Sequence, residues 1–266
     1  MSLLAWSAAL ALSLQGLASM GAPLAPMGKW LVEGEGDLCV LSHAFGTDAA
    51  AMTLAFRPFP MNNQMEAVLL LPKRQGAQRD GKASLTLTPT GQVFDATFAA
   101  FGIKNNMRAV HVYLDRDLVD ALGSATQLTI AADGRSVALT LPSAGRALKV
   151  LNQCETTMLK DWGVDPELDR KLTAKLSGNP GRYFGPSSYP SEALRARASG
   201  RVVALLSVTG EGKVATCRVV RSSLNAALDK ATCSSASHIR YVPARGEEGK
   251  PVASWTLLPV VWQLPS

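Results

Sequence analysis

The stretch from Arg201 to Val220 constrains the fold of this chain more than any other. Val202, Ala204, Leu206 and Val208 recur at every second position, and Val203, Leu205 and Ser207 fall between them. Gly210-Glu211-Gly212-Lys213 interrupts the run, after which Val214, Thr216, Arg218 and Val220 resume the period. A period of two sends successive side chains to opposite faces of a strand, and two such runs around a glycine-bearing turn read as a hairpin. Leu224 to Ser237 then fits a helix that offers Ala227, Leu228, Ala231 and Cys233 to the sheet, and Val252 to Leu264 reads as a third strand. The second and third strands are joined through that helix, so a right-handed crossover lets the third pair beside the first. The predicted order is second, first, third, with the third strand at an edge. Pro259 suits an edge, because proline has no N–H to give a central ladder. A short helix over Ser191 to Ala198, with Ser191, Leu194 and Ala198 inward and Gly200 as its stop, precedes the hairpin. Residues 187–266 therefore read as a small α+β domain: a three-stranded antiparallel sheet with two helices.

The preceding part is different in character. Leu38 to Leu41, Met52 to Phe56, Ala67 to Leu71, Leu85 to Leu87, Val93 to Phe98, Val110 to Leu114, Leu128 to Ile130 and Val137 to Leu141 are short apolar or alternating runs. Turn residues separate them, among them Pro58, Pro60, Gly91 and Asp133-Gly134; the last pair, between two apolar strands, is a strong hairpin signal. Many short strands at this spacing indicate a sandwich or barrel over residues 28–160. Two helices interrupt them, Asp115 to Leu122 and Ser143 to Leu159, each with apolar residues at helical spacing. Residues 161–186 are rich in Pro and Gly, hold a short charged helix from Pro166 to Leu176, and read as the linker between the two domains.

Ser2 to Leu17 carry no charge, and Leu3 to Leu14 form an apolar run followed by small residues up to Ala22. This pattern predicts an export signal over residues 1–22, processed near Ala18 or Ala22. The rival reading is an uncleaved membrane anchor, against which Gln15, Pro23 and Pro26 shorten the apolar length below the roughly 20 residues of a span. Four cysteines suit an oxidising compartment. They allow three pairings; keeping each pair inside one domain favours Cys39 with Cys154 and Cys217 with Cys233, with four buried free thiols as the alternative. The net charge of +6 is concentrated late: residues 175–266 carry 12 Lys/Arg against 5 Asp/Glu. These cations are scattered and not interleaved with aromatics, which reads as a solvated face and excludes nucleic acid as a partner.

The C-terminal domain resembles the TonB C-terminal domain, in the cysteine-pair variant of bacterial periplasmic proteins. The resemblance rests on Tyr189-Pro190, Gly200-Arg201-Val202, Gly212-Lys213-Val214, Cys217, Ser222-Ser223, Leu228-Asp229, Thr232-Cys233, Tyr241-Pro243-Ala244 and Gly249-Lys250-Pro251-Val252. Each piece is short; their order and spacing together are specific. Residues 28–160 resemble, in overall pattern and the outer cysteines, the small β-rich periplasmic domain of invasion-associated locus B proteins. The TonB resemblance implies a periplasmic location and binding by strand addition. An extended segment of an outer-membrane receptor would pair with the edge strand, at Ser254, Trp255, Thr256, Leu257, Leu258, Val260 and Val261. An inner-membrane proton-driven complex would be a further partner if the chain is anchored, and an open edge also permits two copies to pair. The chain departs from an energy transducer in having a folded domain where such proteins carry a proline-rich spacer. Its apolar run also lacks the histidine of their anchors.

No reaction centre is legible. His43, His111 and His238 lie apart in sequence, and no Gly-x-Ser-x-Gly or His-Glu-x-x-His occurs. No Cys-x-x-Cys or Cys/His cluster suggests zinc. The expectation is therefore a non-enzymatic protein with no cofactor and no metal. An enzyme would need a cleft bringing His43 or His111 to a carboxylate. Trp255 and Trp262 fall on opposite faces of a regular strand, unless a bulge at Pro259 brings them together.

Overall fold

The computed structural model describes residues 22–35, 38–47, 50–61, 64–72, 76–174 and 176–264. The apolar run Leu3 to Leu14, on which the export-signal and anchor readings rest, lies outside the described residues. Among the described residues no helix is long and apolar enough to cross a membrane.

The architecture is α+β. Nine antiparallel strands come first: β1 (Pro26–Glu35), β2 (Leu38–Phe45), β3 (Met52–Pro58), β4 (Gln64–Leu71), β5 (Arg79–Thr88), β6 (Val93–Ile103), β7 (Met107–Asp115), β8 (Gln127–Ala132) and β9 (Arg135–Thr140). Their order is β1-β2-β3-β4-β7-β6-β5-β8-β9. The sheet curls until its ends meet: Leu24 N–H donates to Ala138 O at 2.8 Å and Thr140 N–H to Leu24 O at 3.0 Å. Alternate residues turn inward, including Leu41 and Phe45 of β2, Leu54 and Phe56 of β3, Met65 and Leu69 of β4, and Leu85 and Leu87 of β5. Each of the eight apolar runs of the sequence falls on one of β2 to β9, the last overrunning β9 by Leu141. The β8–β9 turn has Asp133 and Gly134 both at positive φ, as a two-residue type I′ hairpin requires.

Two helices belong to this sheet, α1 (Asp117–Leu122) and α2 (Ala144–Asp161). The inner stripe of α2 buries Ala147, Leu148 and Leu151. On the same helix Cys154 reaches back to Cys39 of β2, forming a disulfide with Cα atoms 6.1 Å apart. The charged helix α3 (Pro166–Arg170) follows, capped by Asp165, and ends well before the predicted Leu176.

The second sheet is built as its alternation demands. Strands β10 (Gly200–Val208) and β11 (Val214–Arg221) form the hairpin. The helix α4 (Ser191–Arg195) precedes them and α5 (Ala226–Ala236) follows. A two-stranded ribbon of β12 (Ala244–Arg245) and β13 (Pro251–Val252) leads into β14 (Ser254–Trp262). The order is β11-β10-β14, with β14 at the edge. Residues 174 and 177, from the stretch read as a linker, bridge to Arg245 and Val242, so part of that stretch is tied to this sheet.

Two helix expectations are corrected. Leu194 is 41% exposed, and Ala193 is the buried residue of α4. The helix expected from Leu224 begins at Ala226, because Asn225 caps it by accepting from the N–H groups of Ala227 and Leu228. Leu224 lies outside the cap at positive φ, 96% exposed.

Local networks explain several of the short motifs of the chain. Asp229 accepts hydrogen bonds from Ser222 Oγ (2.6 Å), Ser223 N (2.9 Å) and Ser223 Oγ (2.8 Å), tying the start of α5 to the end of β11. Partial burial pushes the Asp229 carboxyl up, but these three bonds outweigh it and hold the group below the usual carboxylate range. A carboxyl lowered in the folded state stabilises fully above its unfolded value, about 3.9, and that contribution disappears as pH falls through the folded value. Asp229→Asn should therefore lower stability by about 1 kcal/mol at neutral pH, a solvent-discounted figure. The gap from the parent should close in acid, as urea titrations at several pH values would show.

Gly212 marks the β10–β11 turn at φ +77°, and a Cβ there would overlap the Tyr241 carbonyl oxygen. Tyr241 N–H in turn donates to Gly212 O at 2.9 Å. Gly212→Ala meets both left-handed strain and a backbone clash, and should cost roughly 2–3 kcal/mol in chemical denaturation.

The small sheet is covered on both faces. On one, Val202, Ala204, Leu206, Leu258, Val260 and Trp262 pack with Leu228 and Ala236 of α5 and with Tyr189. The Cys217–Cys233 disulfide pins α5 to β11 on that side. On the other face, Leu205 is buried with Met61, Leu159 and Val164, with Trp162, Val220, Trp255 and Leu257 packed around them. Met61 comes from the β3–β4 connection and Leu159 from α2, so the first sheet and its helix close over the second. This is why β10 is buried continuously from Val202 to Leu206 and not at every other residue.

Candidate protein-binding edge

Strand β14 pairs with β10 without interruption, from Gly200 with Trp262 to Val208 with Ser254. No bulge occurs at Pro259, so Trp255 and Trp262 lie on opposite faces. Pro259, opposite Val203, is exposed. Among the described residues nothing except β10 is hydrogen-bonded to the β14 backbone by a backbone group. In an antiparallel ladder, alternate residues of an edge strand turn their N–H and C=O groups outward.

The seven residues expected to meet a partner divide by face. Ser254, Leu258 and Val260 are buried on the α5 side, so their side chains are taken up by the core and they can offer only backbone. Trp255 and Leu257 face the first sheet and are half-buried, Thr256 is partly exposed, and Val261 is 61% exposed. The edge is held rigid from within by Trp262. Its Nε1–H donates to Thr232 Oγ1 at 2.9 Å, and its ring meets Tyr189 and Phe184 edge-on at 5.3 and 5.9 Å.

A cavity of about 310 Å³ runs beside the strand. Ser254, Trp255, Thr256, Leu257 and Pro259 line one side of it, and Leu38, Phe59, Pro60 and Met61 of the first sheet line the other. Sequence reasoning missed the second set. Pro58 and Pro60 signalled a turn, and the signal left unused was the apolar Phe59 and Met61 inside it. Met61 takes φ +61° and is 7% exposed, which is unusual for a turn tip in contact only with water.

His43 is 2% exposed between Trp30 and Phe45, and its Nδ1 is 2.7 Å from Ala44 O. His111 does meet a carboxylate: its Nδ1 is 2.5 Å from Glu66 Oε1, while Arg57 holds Glu66 Oε2 at 3.2 Å. The same site pushes the Tyr113 hydroxyl up, by burial first and by the Glu66 charge second. The His111 ring is stacked on Phe101 at 5.1 Å. Neither the cavity beside β14 nor the larger one of about 680 Å³ between α1, α2 and α3 contains a histidine. In the larger cavity Arg116 forks onto Glu155, and Arg170 pairs with Glu167, which lies outside the lining. Among the described residues no group of three His, Cys, Asp or Glu side chains could hold a metal ion.

The three-stranded sheet ends on β14 at one side and β11 at the other, and an open strand edge of this kind is a surface to which an extended chain can add through its backbone. Residues 186–264 match the family described as Gram-negative bacterial TonB protein C-terminal, so this part of the chain is a TonB C-terminal domain, of a family of periplasmic protein-interaction domains. The match covers under a third of the 266 residues and leaves the nine-stranded sheet outside it. A search of curated proteins finds no match to the chain.

Proposed function

We propose that the protein binds extended segments of outer-membrane transporters in the periplasm by β-strand addition to β14, and that this binding, and not catalysis, is its activity. The open edge of β14 carries the reading. Unpaired N–H and C=O groups on an edge form main-chain hydrogen bonds with an incoming strand, while alternate side chains set preference. Coupling to an inner-membrane proton-driven complex is the finer reading that follows if the N-terminal segment anchors the chain.

The test is affinity capture from a Gram-negative envelope extract with the oxidised full chain, with Leu257→Pro as control. A proline at Leu257 removes an N–H and disrupts the strand. Transporters identified on the parent chain and lost from the variant are the expected result. Equal recovery on both would place the binding surface elsewhere, and recovery on neither would remove the transport reading.

A further inference from the structure

We infer that Pro259 divides the open edge of β14 and confines strand addition to its first half, Ser254 to Leu258, so that the partner's paired segment is short. The inference rests on strand addition to β14 and adds where, and over what length, the added strand pairs.

The hydrogen bonds fix which residues of β14 face outward. One residue past β10, Thr209 N–H donates to Lys213 O at 2.8 Å, so Thr209 turns its backbone groups toward β11. Successive residues of a strand turn theirs to opposite sides, so Val208, Leu206, Ala204 and Val202 turn theirs toward β14. Their partners there are Ser254, Thr256, Leu258 and Val260. Trp255, Leu257, Pro259 and Val261 therefore direct their backbone groups to the open edge. The proline agrees with this assignment. Val203, opposite it, is 1% exposed, and a proline turned inward would leave the Val203 carbonyl without a donor.

That edge is uneven. Trp255 and Leu257 each offer a donor and an acceptor. Thr256 Oγ1 reaches Leu257 O at 3.5 Å, a contact too long to compete with a main-chain bond. Pro259 offers only its carbonyl, and its ring occupies the place of the missing N–H. A strand in register would bring a carbonyl against that ring with no donor to meet it, whether it ran parallel or antiparallel. An acceptor left unmet costs more than a typical hydrogen bond gains. The ladder therefore stops at Leu258, and the groups of Val261 lie past the break. At the sheet's other edge, β11 shifts register against β10 between Val203 and Ala204 and again between Ser207 and Val208. Bulges of this kind break the even spacing that an added strand needs. Strand β14 pairs without a shift, so it is the regular edge, and Pro259 trims it. The same proline keeps two copies of the chain from pairing along the whole of their β14 strands.

Synthetic peptides of alternating Thr and Val test this on the oxidised full chain, five residues long to match Ser254 to Leu258 or nine to match all of β14. Affinity and exchange of the β14 amides are followed together. On the parent the two lengths should bind within about two-fold of each other. Both should protect the Trp255 and Leu257 amides, and neither the Val261 amide. Pro259→Thr restores an outward donor at an exposed edge position, where a β-branched residue fits well, and Pro259→Val is its companion. In both variants the longer peptide should gain roughly ten-fold, with new protection at positions 259 and 261, while the shorter one binds as before. Pairing of two Pro259→Thr chains through β14, absent from the parent, would equally show the proline as the block. Protection of Val261 by the longer peptide on the parent would overturn the inference and leave strand addition standing, as would a longer peptide that gains nothing in either variant. Binding that leaves the Trp255 and Leu257 amides unchanged, or no binding at either length, would remove strand addition and the inference with it.

Discussion

Replacing Cys39 and Cys154 together with alanine is expected to cost the N-terminal sheet about 4–5 kcal/mol. The two residues are 115 apart in sequence, and the bond joins α2 to β2. Without it, the unfolded chain regains the conformational freedom of a loop of more than a hundred residues, and α2 is held only by its apolar stripe. The Cys217–Cys233 bond closes a loop of 16 and should contribute less, about 3 kcal/mol. Guanidinium unfolding of the two double-alanine variants should rank them in that order, and thiol reductant should reproduce the combined loss in the parent. A larger loss from the shorter bridge would show that strain or residual structure, and not loop closure, sets the stability.

The second large effect is expected at Trp262. Its indole is 4% exposed and joins three parts of the C-terminal domain: the opening Tyr189, helix α5 through Thr232, and Phe184 before the domain. Trp262→Ala leaves a cavity and removes the donor to Thr232 Oγ1, which itself donates to Leu228 O at 2.9 Å. Truncations of this kind typically cost about 3–5 kcal/mol. Trp262→Phe keeps most of the packing and should lose only about 1–2 kcal/mol, chiefly the hydrogen bond. Because Trp262 ends the edge strand, the alanine variant should also lose partner binding, whereas the phenylalanine variant keeps it. Denaturation curves beside the capture assay separate these effects.

Where a pattern was local, the sequence disclosed the structure. The alternation of Val202 to Val208 and of Val214 to Val220 predicted the hairpin, and Asp133-Gly134 predicted its type I′ counterpart in the first sheet. The crossover through α5 placed β14 at an edge, and Pro259 agreed. Three features escaped because their causes are not local. Strand β1 was missed since Gly28 at positive φ and a register shift between Met27 and Leu31 break its alternation. The inner face of α4 was misassigned because five residues make little more than one turn, too short for periodicity to choose between Ala193 and Leu194. Above all, the burial of Met61, next to the turn prolines Pro58 and Pro60, was not legible. Its partners Leu159, Val164 and Leu205 lie about a hundred or more positions later, and nothing in its neighbourhood announces them. For the candidate site, the edge strand was legible and the wall across from it was not.

That wall changes what the domain offers. A three-stranded sheet with a helix on one side would present its other face to solvent; here the nine-stranded sheet and α2 cover much of that face, so the accessible backbone lies at the sheet's edges, β14 and β11. Val261, exposed toward the end of the strand, lies beyond the cavity.

Hydrogen exchange resolved to single amides, with and without a bound transporter segment, tests strand addition most directly. The account predicts new protection at alternate amides between Ser254 and Trp262, with the β10 and β11 amides unchanged, and loss of that protection in Leu257→Pro. A segment that binds while every β14 amide exchanges as before would contradict it.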